Sequence, residues 1–123
     1  MSAPPLVAVV DDDESVRESL PDLLKTGGYA TVAYASAEDF LASGAAERAA
    51  CLVVDVYMPG MSGPALQEEL ERRGNPLPLI FMSAHMDAGV CREVIAHGAV
   101  ACLFKPFDGD ALLDAIAAAI AGR

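Results

Sequence analysis

Positive charge is scarce in this chain. Lys and Arg together number 8 against 18 Asp and Glu, and the formal net charge is −10 at pH 7. A surface this acidic repels phosphate backbones and anionic lipid, which argues against direct contact with nucleic acid or a membrane surface. Long apolar runs are missing too. The N-terminus, MSAPPLVAVV, has no basic n-region, and its apolar stretch is too short for a secretory signal or a membrane span. Cysteine is sparse: Cys51, Cys91 and Cys102 are odd in number and show no CxxC spacing. That predicts free, mostly buried thiols in a reducing cytoplasm. His85, Cys91 and His97 stand six residues apart, with alternate members on opposite helix faces, a poor arrangement for a soft metal. Repeats and low-complexity stretches are also absent. The expected organisation is a short tail over residues 1–5 and one domain over 6–123.

Aliphatic material is plentiful. Apolar residues make up 54% of the 123 positions, enough for one packed core. They fall into short runs that alternate with helical patterns. Strands are expected at Leu6–Val10, Ala30–Tyr34, Leu52–Val54, Leu79–Met82 and Ala101–Phe104. Helices are expected at Glu14–Thr26, Ala37–Ser43, from Ser62 or Pro64 to about Arg73, Asp87–His97, and from Asp108 or Gly109 to Ala121. Ser36 reads as an N-cap, with Asp39 where a capping box usually carries Glu. Pro21 is anomalous inside the first helix, where it deprives the Arg17 carbonyl of a donor at a cost of about 3 kcal/mol. Strict strand–helix alternation implies an α/β fold: a parallel sheet covered by helices on both faces. Ligands of such sheets bind at the carboxyl ends of the strands.

Those ends carry complementary chemistry. The first strand runs into Asp11, Asp12 and Asp13, the third into Asp55, the fourth into Ser83 and the fifth into Lys105. Adjacent carboxylates repel; at an effective dielectric near 20, two charges about 4 Å apart cost roughly 4 kcal/mol. A divalent cation held by oxygen ligands would offset that repulsion. Asp13 has a sufficient role as the N-cap or first-turn acid of the first helix.

The stretches VVDDDESVRESL, LVVDVYMPGMSG, LIFMSAH and CLFKPF, in this order, resemble the receiver domain of a bacterial two-component response regulator, most closely the NarL/FixJ-type receivers. The resemblance runs from about Leu6 to Ala121. It implies a flavodoxin-like (βα)5 fold with strand order 2-1-3-4-5. It further implies that Asp55 accepts a phosphoryl group from a sensor histidine kinase. Asp12 and Asp55 would hold Mg²⁺, with Asp11 acting through water and Tyr57 through its backbone carbonyl. Lys105 would pair with Asp55 and then with the phosphoryl group, which Ser83 would also contact. The Lys105–Pro106 bond is cis in the family and would aim the lysine into the site. The output would be a changed face of helix four, strand five and helix five. It would be read by a DNA-binding output domain outside this chain, by another partner, or by a second copy in a phosphorylation-dependent homodimer. The domain would assist its own phosphorylation and dephosphorylation without turning over a separate substrate.

The pattern departs from the family at Cys102, three residues before the lysine, where many receivers carry Tyr or Phe as a switch aromatic. Coupling is therefore expected to rely on the Ser83 loop and helix four. MPGMSG, Met58–Gly63, is expected to shape the loop beside Asp55, and His85 and Met86 to line the mouth of the site. The enzyme alternative is a haloacid-dehalogenase-like phosphatase with Asp11 as nucleophile, Ser83 and Lys105 as further motifs and GDALLD from Gly109 as its acidic motif. It leaves Asp55 idle. A calcium loop from Asp11 has Val16 at the required Gly position and Asp22 in place of Glu. A flavin protein would need a phosphate loop where this chain has acids.

Overall fold

The structure, a computed structural model, describes residues 3–84, 88–106 and 108–122. Strands β1 (Leu6–Val10), β2 (Ala30–Tyr34), β3 (Cys51–Asp55), β4 (Leu79–Ser83) and β5 (Ala101–Phe104) alternate with helices α1 (Glu14–Thr26), α2 (Ala37–Ser43), α3 (Gly63–Arg72), α4 (Ala88–Ala96) and α5 (Gly109–Ala121). Every pairing is parallel and the sheet order is β2-β1-β3-β4-β5, as expected.

Helix starts follow local chemistry. The side chains of Asp13, Ser36, Ser62 and Asp108 accept from the backbone N–H groups of Ser15, Asp39, Ala65 and Asp110. Each satisfies a donor that the first turn would leave orphaned. Pro64 sits in the first turn of α3, where its missing N–H costs nothing. Three of these elements have bounds that differ from expectation. β3 takes in Cys51 and Asp55, and β4 takes in Ser83, because the ladders run one step further than the apolar runs do. α4 ends at Ala96; Asp87 lies outside the described residues, as do His85 and Met86. A 3₁₀ turn at Ala45–Glu47 has no periodicity to announce it.

Pleat alternation divides the core. Ala8, Val10, Leu52, Val54, Leu79 and Phe81 face a cluster that includes Phe40, Leu66, Leu70 and Val94 from α2, α3 and α4. Val7, Val9, Cys51, Val53, Ile80 and Met82 face the opposite cluster with Leu20, Leu24, Leu112 and Ile116 from α1 and α5. β1, β3 and β4 are central and, Leu6 apart, wholly buried, whereas the edge strands β2 and β5 are largely half-buried. That is why the central strands read as continuous apolar runs.

The cysteines correct an expectation. Cys91 of α4 and Cys102 of β5 form a disulfide, with Cα atoms 5.8 Å apart, while Cys51 is buried in β3 outside any disulfide. α4 packs on β5, so the turn between them returns the chain to its starting point over a separation of 11 residues. Spacing along the chain, which predicts three free thiols, carries no trace of that packing.

α1 runs through Pro21 without interruption, and it buries Leu20 and Leu24 on either side of it. Packing overrides the lost hydrogen bond. Pro21→Ala restores the donor to the Arg17 carbonyl and is expected to raise stability by about 1–3 kcal/mol, read as a higher urea midpoint at unchanged m-value.

Candidate functional site

The same alternation that builds the core aims the polar groups. Val7 and Val9 continue to Asp11, Cys51 and Val53 to Asp55, and Ala101 and Leu103 to Lys105; all three polar residues therefore share the pleat parity of the α1/α5 face. Ser83 follows Leu79 and Phe81 and has the other parity. Register sets the depth. Val10 pairs with Val54 and Asp55 with Met82, so Asp11 stands beside Asp55 at the carboxyl edge of the sheet. The Lys105 N–H donates to the Ser83 carbonyl at 2.7 Å, which continues the β4–β5 ladder to the same edge. The Lys105–Pro106 peptide is cis.

Carboxylate oxygens of Asp11, Asp12 and Asp55 all lie within 4.8 Å of one another. Asp11 is 0% exposed and Asp55 8%, whereas Asp12 is open to solvent. The Lys105 ammonium crosses from the edge strand. It hydrogen-bonds Asp11 Oδ2 at 2.8 Å and stands 3.7 Å from Asp55 Oδ2. Its primary partner is therefore Asp11, with Asp55 second, whereas the sequence reading paired it with Asp55. The reason is burial: Asp11 has no access to water and needs the ammonium more. Asp11 Oδ1 accepts the Asp13 N–H at 2.9 Å, and the Asp11 backbone carbonyl accepts from Arg17 Nη1 at 2.9 Å.

These surroundings act on the titrating groups. Burial, and then the Asp11 charge, push the Asp55 carboxyl above the usual carboxylate range, with a smaller push from Asp12; Lys105 and the Tyr57 backbone N–H pull the other way. Burial works against the Lys105 ammonium, but the Asp11 hydrogen bond and the charges of Asp11, Asp55 and Asp13 outweigh it and raise its pKa. Asp55 is thus a carboxylate with surplus negative charge around it, and the three clustered carboxylates form an oxygen donor set that fits a small divalent cation.

The loop after β3 holds this arrangement. The Gly63 N–H donates to the Val56 carbonyl at 3.0 Å. A Cβ on Gly63 would collide with the Asp55 backbone carbonyl and approach Phe81, so only glycine lets α3 start this close to the acid. The Met61 N–H donates to Glu38 Oε2 at 3.2 Å, which ties the loop to α2. Ser83 is 2% exposed at the end of β4, and Tyr57 is 44% exposed two residues after Asp55.

Arg17 and Glu38 brace the site without a role foreseen from sequence. Arg17 had a faint signal, as a cation one turn into a helix that follows an acidic run. Glu38 had none, because its contact spans 23 residues. The phosphatase alternative fits poorly. Asp11 is fully buried with both oxygens engaged, and GDALLD opens α5 directly after β5. The calcium-loop alternative loses Asp13 to the cap of α1.

The family model described as response regulator receiver domain matches residues 7–117. The chain is 42% identical over 114 residues to the transcriptional regulatory protein FixJ of Azorhizobium caulinodans, a match covering 93% of this chain and 54% of that protein. Among solved structures, the response regulator StyR superposes with a TM-score of 0.89 at 43% identity, over 97% of this chain and 60% of that one. The crystal structure of FixJ-N superposes with a TM-score of 0.88 at 35% identity, over 100% of this chain and 98% of that one. The chain spans about half the length of the curated relatives it matches.

Charge balance at the rim makes opposite substitutions diverge. In chelator, Asp55→Asn removes one of three crowded carboxylates and is expected to stabilise the fold by about 1 kcal/mol. Lys105→Met leaves Asp11 buried without its cation and is expected to cost about 3 kcal/mol. Urea unfolding of the two variants beside the parent checks both signs.

Proposed function

The chain belongs to the response regulator receiver domain family and is a phosphorylation-dependent signalling domain, and from that premise we propose that Asp55 accepts its phosphoryl group from a sensor histidine kinase. One observation carries the assignment: Asp55 lies among Asp11, Asp12 and Lys105 at the carboxyl edge of the sheet, although the four come from three separate strand ends.

An Asp55 carboxylate oxygen attacks the phosphorus of the phosphohistidine; the new P–O bond forms as the P–N bond breaks, and the imidazole leaves with the electron pair. Such transfers depend on position and charge neutralisation more than on covalent assistance. Mg²⁺ held by Asp12, Asp55 and the Tyr57 carbonyl, with Asp11 reaching it through water, would neutralise charge on the attacking carboxylate and the incoming group. Lys105 already stands 3.7 Å from Asp55 and is held there by Asp11, so its ammonium is placed to contact a phosphoryl oxygen without first being desolvated. The Ser83 hydroxyl donates to a second oxygen. Its hydrogen bond draws Ser83 toward the phosphoryl group and so passes the change to α4, β5 and α5.

The phosphorylated face controls an output: a DNA-binding domain of the kind that transcriptional regulators carry, or a second phosphorylated copy. The kinase and that output place the domain in the cytoplasm. No described helix is long and apolar enough to cross a membrane.

Acetyl phosphate with Mg²⁺ is expected to add one phosphoryl group to the parent by intact mass, and none to Asp55→Ala. Ser83→Ala should still be modified at Asp55 but about 10–100 times more slowly. Addition at full extent to Asp55→Ala would remove Asp55 from the role.

A further inference from the structure

We propose that Cys91 and Cys102 are a redox-modification site whose disulfide fixes α4 on β5 and withholds the output face from phosphorylation. The second half rests on the switch reading above; the first does not.

The placement of the pair carries the inference. Cys91 lies in the first turn of α4, eight residues after Ser83, and Cys102 lies on β5, three residues before Lys105. The disulfide therefore joins the segment leaving one phosphoryl-contacting residue to the strand leading to the other. Beside the disulfide, α4 is held by Val90, partly buried against the core, and by its second half. Among the described residues it has one fully buried side chain, Val94, whose carbonyl accepts from Gln67 Nε2 of α3 at 3.0 Å. A helix anchored so lightly is free to shift when Ser83 moves, and a covalent tie to β5 removes that freedom.

The pair is also accessible. Cys91 and Cys102 are both half-buried and line an open groove of about 620 Å³ with Arg92, Ile95 and Ala96. Arg92 beside them in the groove attracts an anionic reagent. Cys51, at 0% exposure on the opposite sheet face, is screened from the same chemistry.

The oxidant is a low-molecular-weight disulfide of the glutathione class. One cysteine thiolate attacks a sulfur of that disulfide; a mixed disulfide forms and one small thiolate leaves. The second cysteine thiolate attacks the protein sulfur of the mixed disulfide, the Cys91–Cys102 bond forms and the second small thiolate leaves. The two cysteine sulfurs lose two electrons, the reagent gains them, and the two protons end on the released thiols. A dithiol reductant reverses both steps.

The chain is equilibrated in glutathione buffers of graded redox ratio, acid-quenched, unfolded, alkylated and weighed. It carries three cysteines, so the oxidised form is expected to take one adduct and the reduced form three. Hydrogen exchange of residues 88–98 is then compared without any phosphoryl donor. The oxidised chain should exchange at least about tenfold more slowly than the reduced chain. Cys91→Ser and Cys102→Ser should match the reduced chain in every buffer. With acetyl phosphate and Mg²⁺, both redox states should gain the phosphoryl mass, and only the reduced state should change its exchange over α4 and β5. Three adducts in every buffer, or equal α4 exchange in the two states, overturns the redox site whether or not Asp55 is modified. An equal exchange response to phosphorylation in both states overturns the withheld face. Absence of the phosphoryl mass in both states instead removes the switch reading, and the withheld face with it, while the donor-free comparison still decides the site.

Discussion

The ion pair between Lys105 and Asp11 is the constraint on which the rim depends. Asp11 is a carboxylate with no exposed surface, and an unpaired charge in that position costs several kcal/mol. The ammonium that compensates it comes from 94 residues further along the chain. The pair thus fastens the end of edge strand β5 to the end of central strand β1, across β3 and β4. Burial, and then the Asp11 charge, raise the proton affinity of Asp55 against the pull of the shared Lys105 ammonium. Asp55, the proposed phosphoacceptor, is the acid of the rim whose carboxyl is pushed above its ordinary range.

Site and core share one cause. A parallel sheet buried on both faces alternates its side chains between two helical layers, and at the carboxyl edge the alternation continues with polar residues in place of valines. Three of these residues follow the α1/α5 parity, and Ser83 follows the α3/α4 side. The acidic and basic groups therefore meet in front of α1, where Asp13 and Arg17 are at hand to hold Asp11. The hydroxyl meets the side from which α4 departs. On the proposed reading, chemistry and its transmission are separated by a single step of pleat.

The strand–helix alternation and the identity of the rim residues were legible because each rests on local pattern: apolar runs, capping residues, and polar residues at the ends of strands; the order of the sheet followed from the family resemblance. Lys105 is a mixed case. Its reach into the rim could be argued from strand spacing, but its preference for Asp11 over Asp55 depends on which carboxylate is drier, a property of packing. The Cys91–Cys102 bond was illegible for a related reason. Eleven residues that contain most of a helix, a Gly98 turn and the start of a strand close on themselves only after α4 has docked. The 3₁₀ turn at Ala45–Glu47 and the Glu38 brace likewise lack any periodic signature. Pro21 ran the other way: its local penalty was plain, and burial of its neighbours overrode it.

The bond from Gln67 to the Val94 carbonyl grips α4 in its second half, next to its single fully buried side chain among the described residues. The opposite end of the helix is the one joined to Ser83. A body gripped near one end and pulled at the other rotates about the grip, and its displacement grows with distance from the fulcrum. On the proposed reading, and with the Cys91–Cys102 bond reduced, movement of the Ser83 hydroxyl would become an angular swing, largest near Ala88 and least at Val94, in which α3 serves as the fixed bearing.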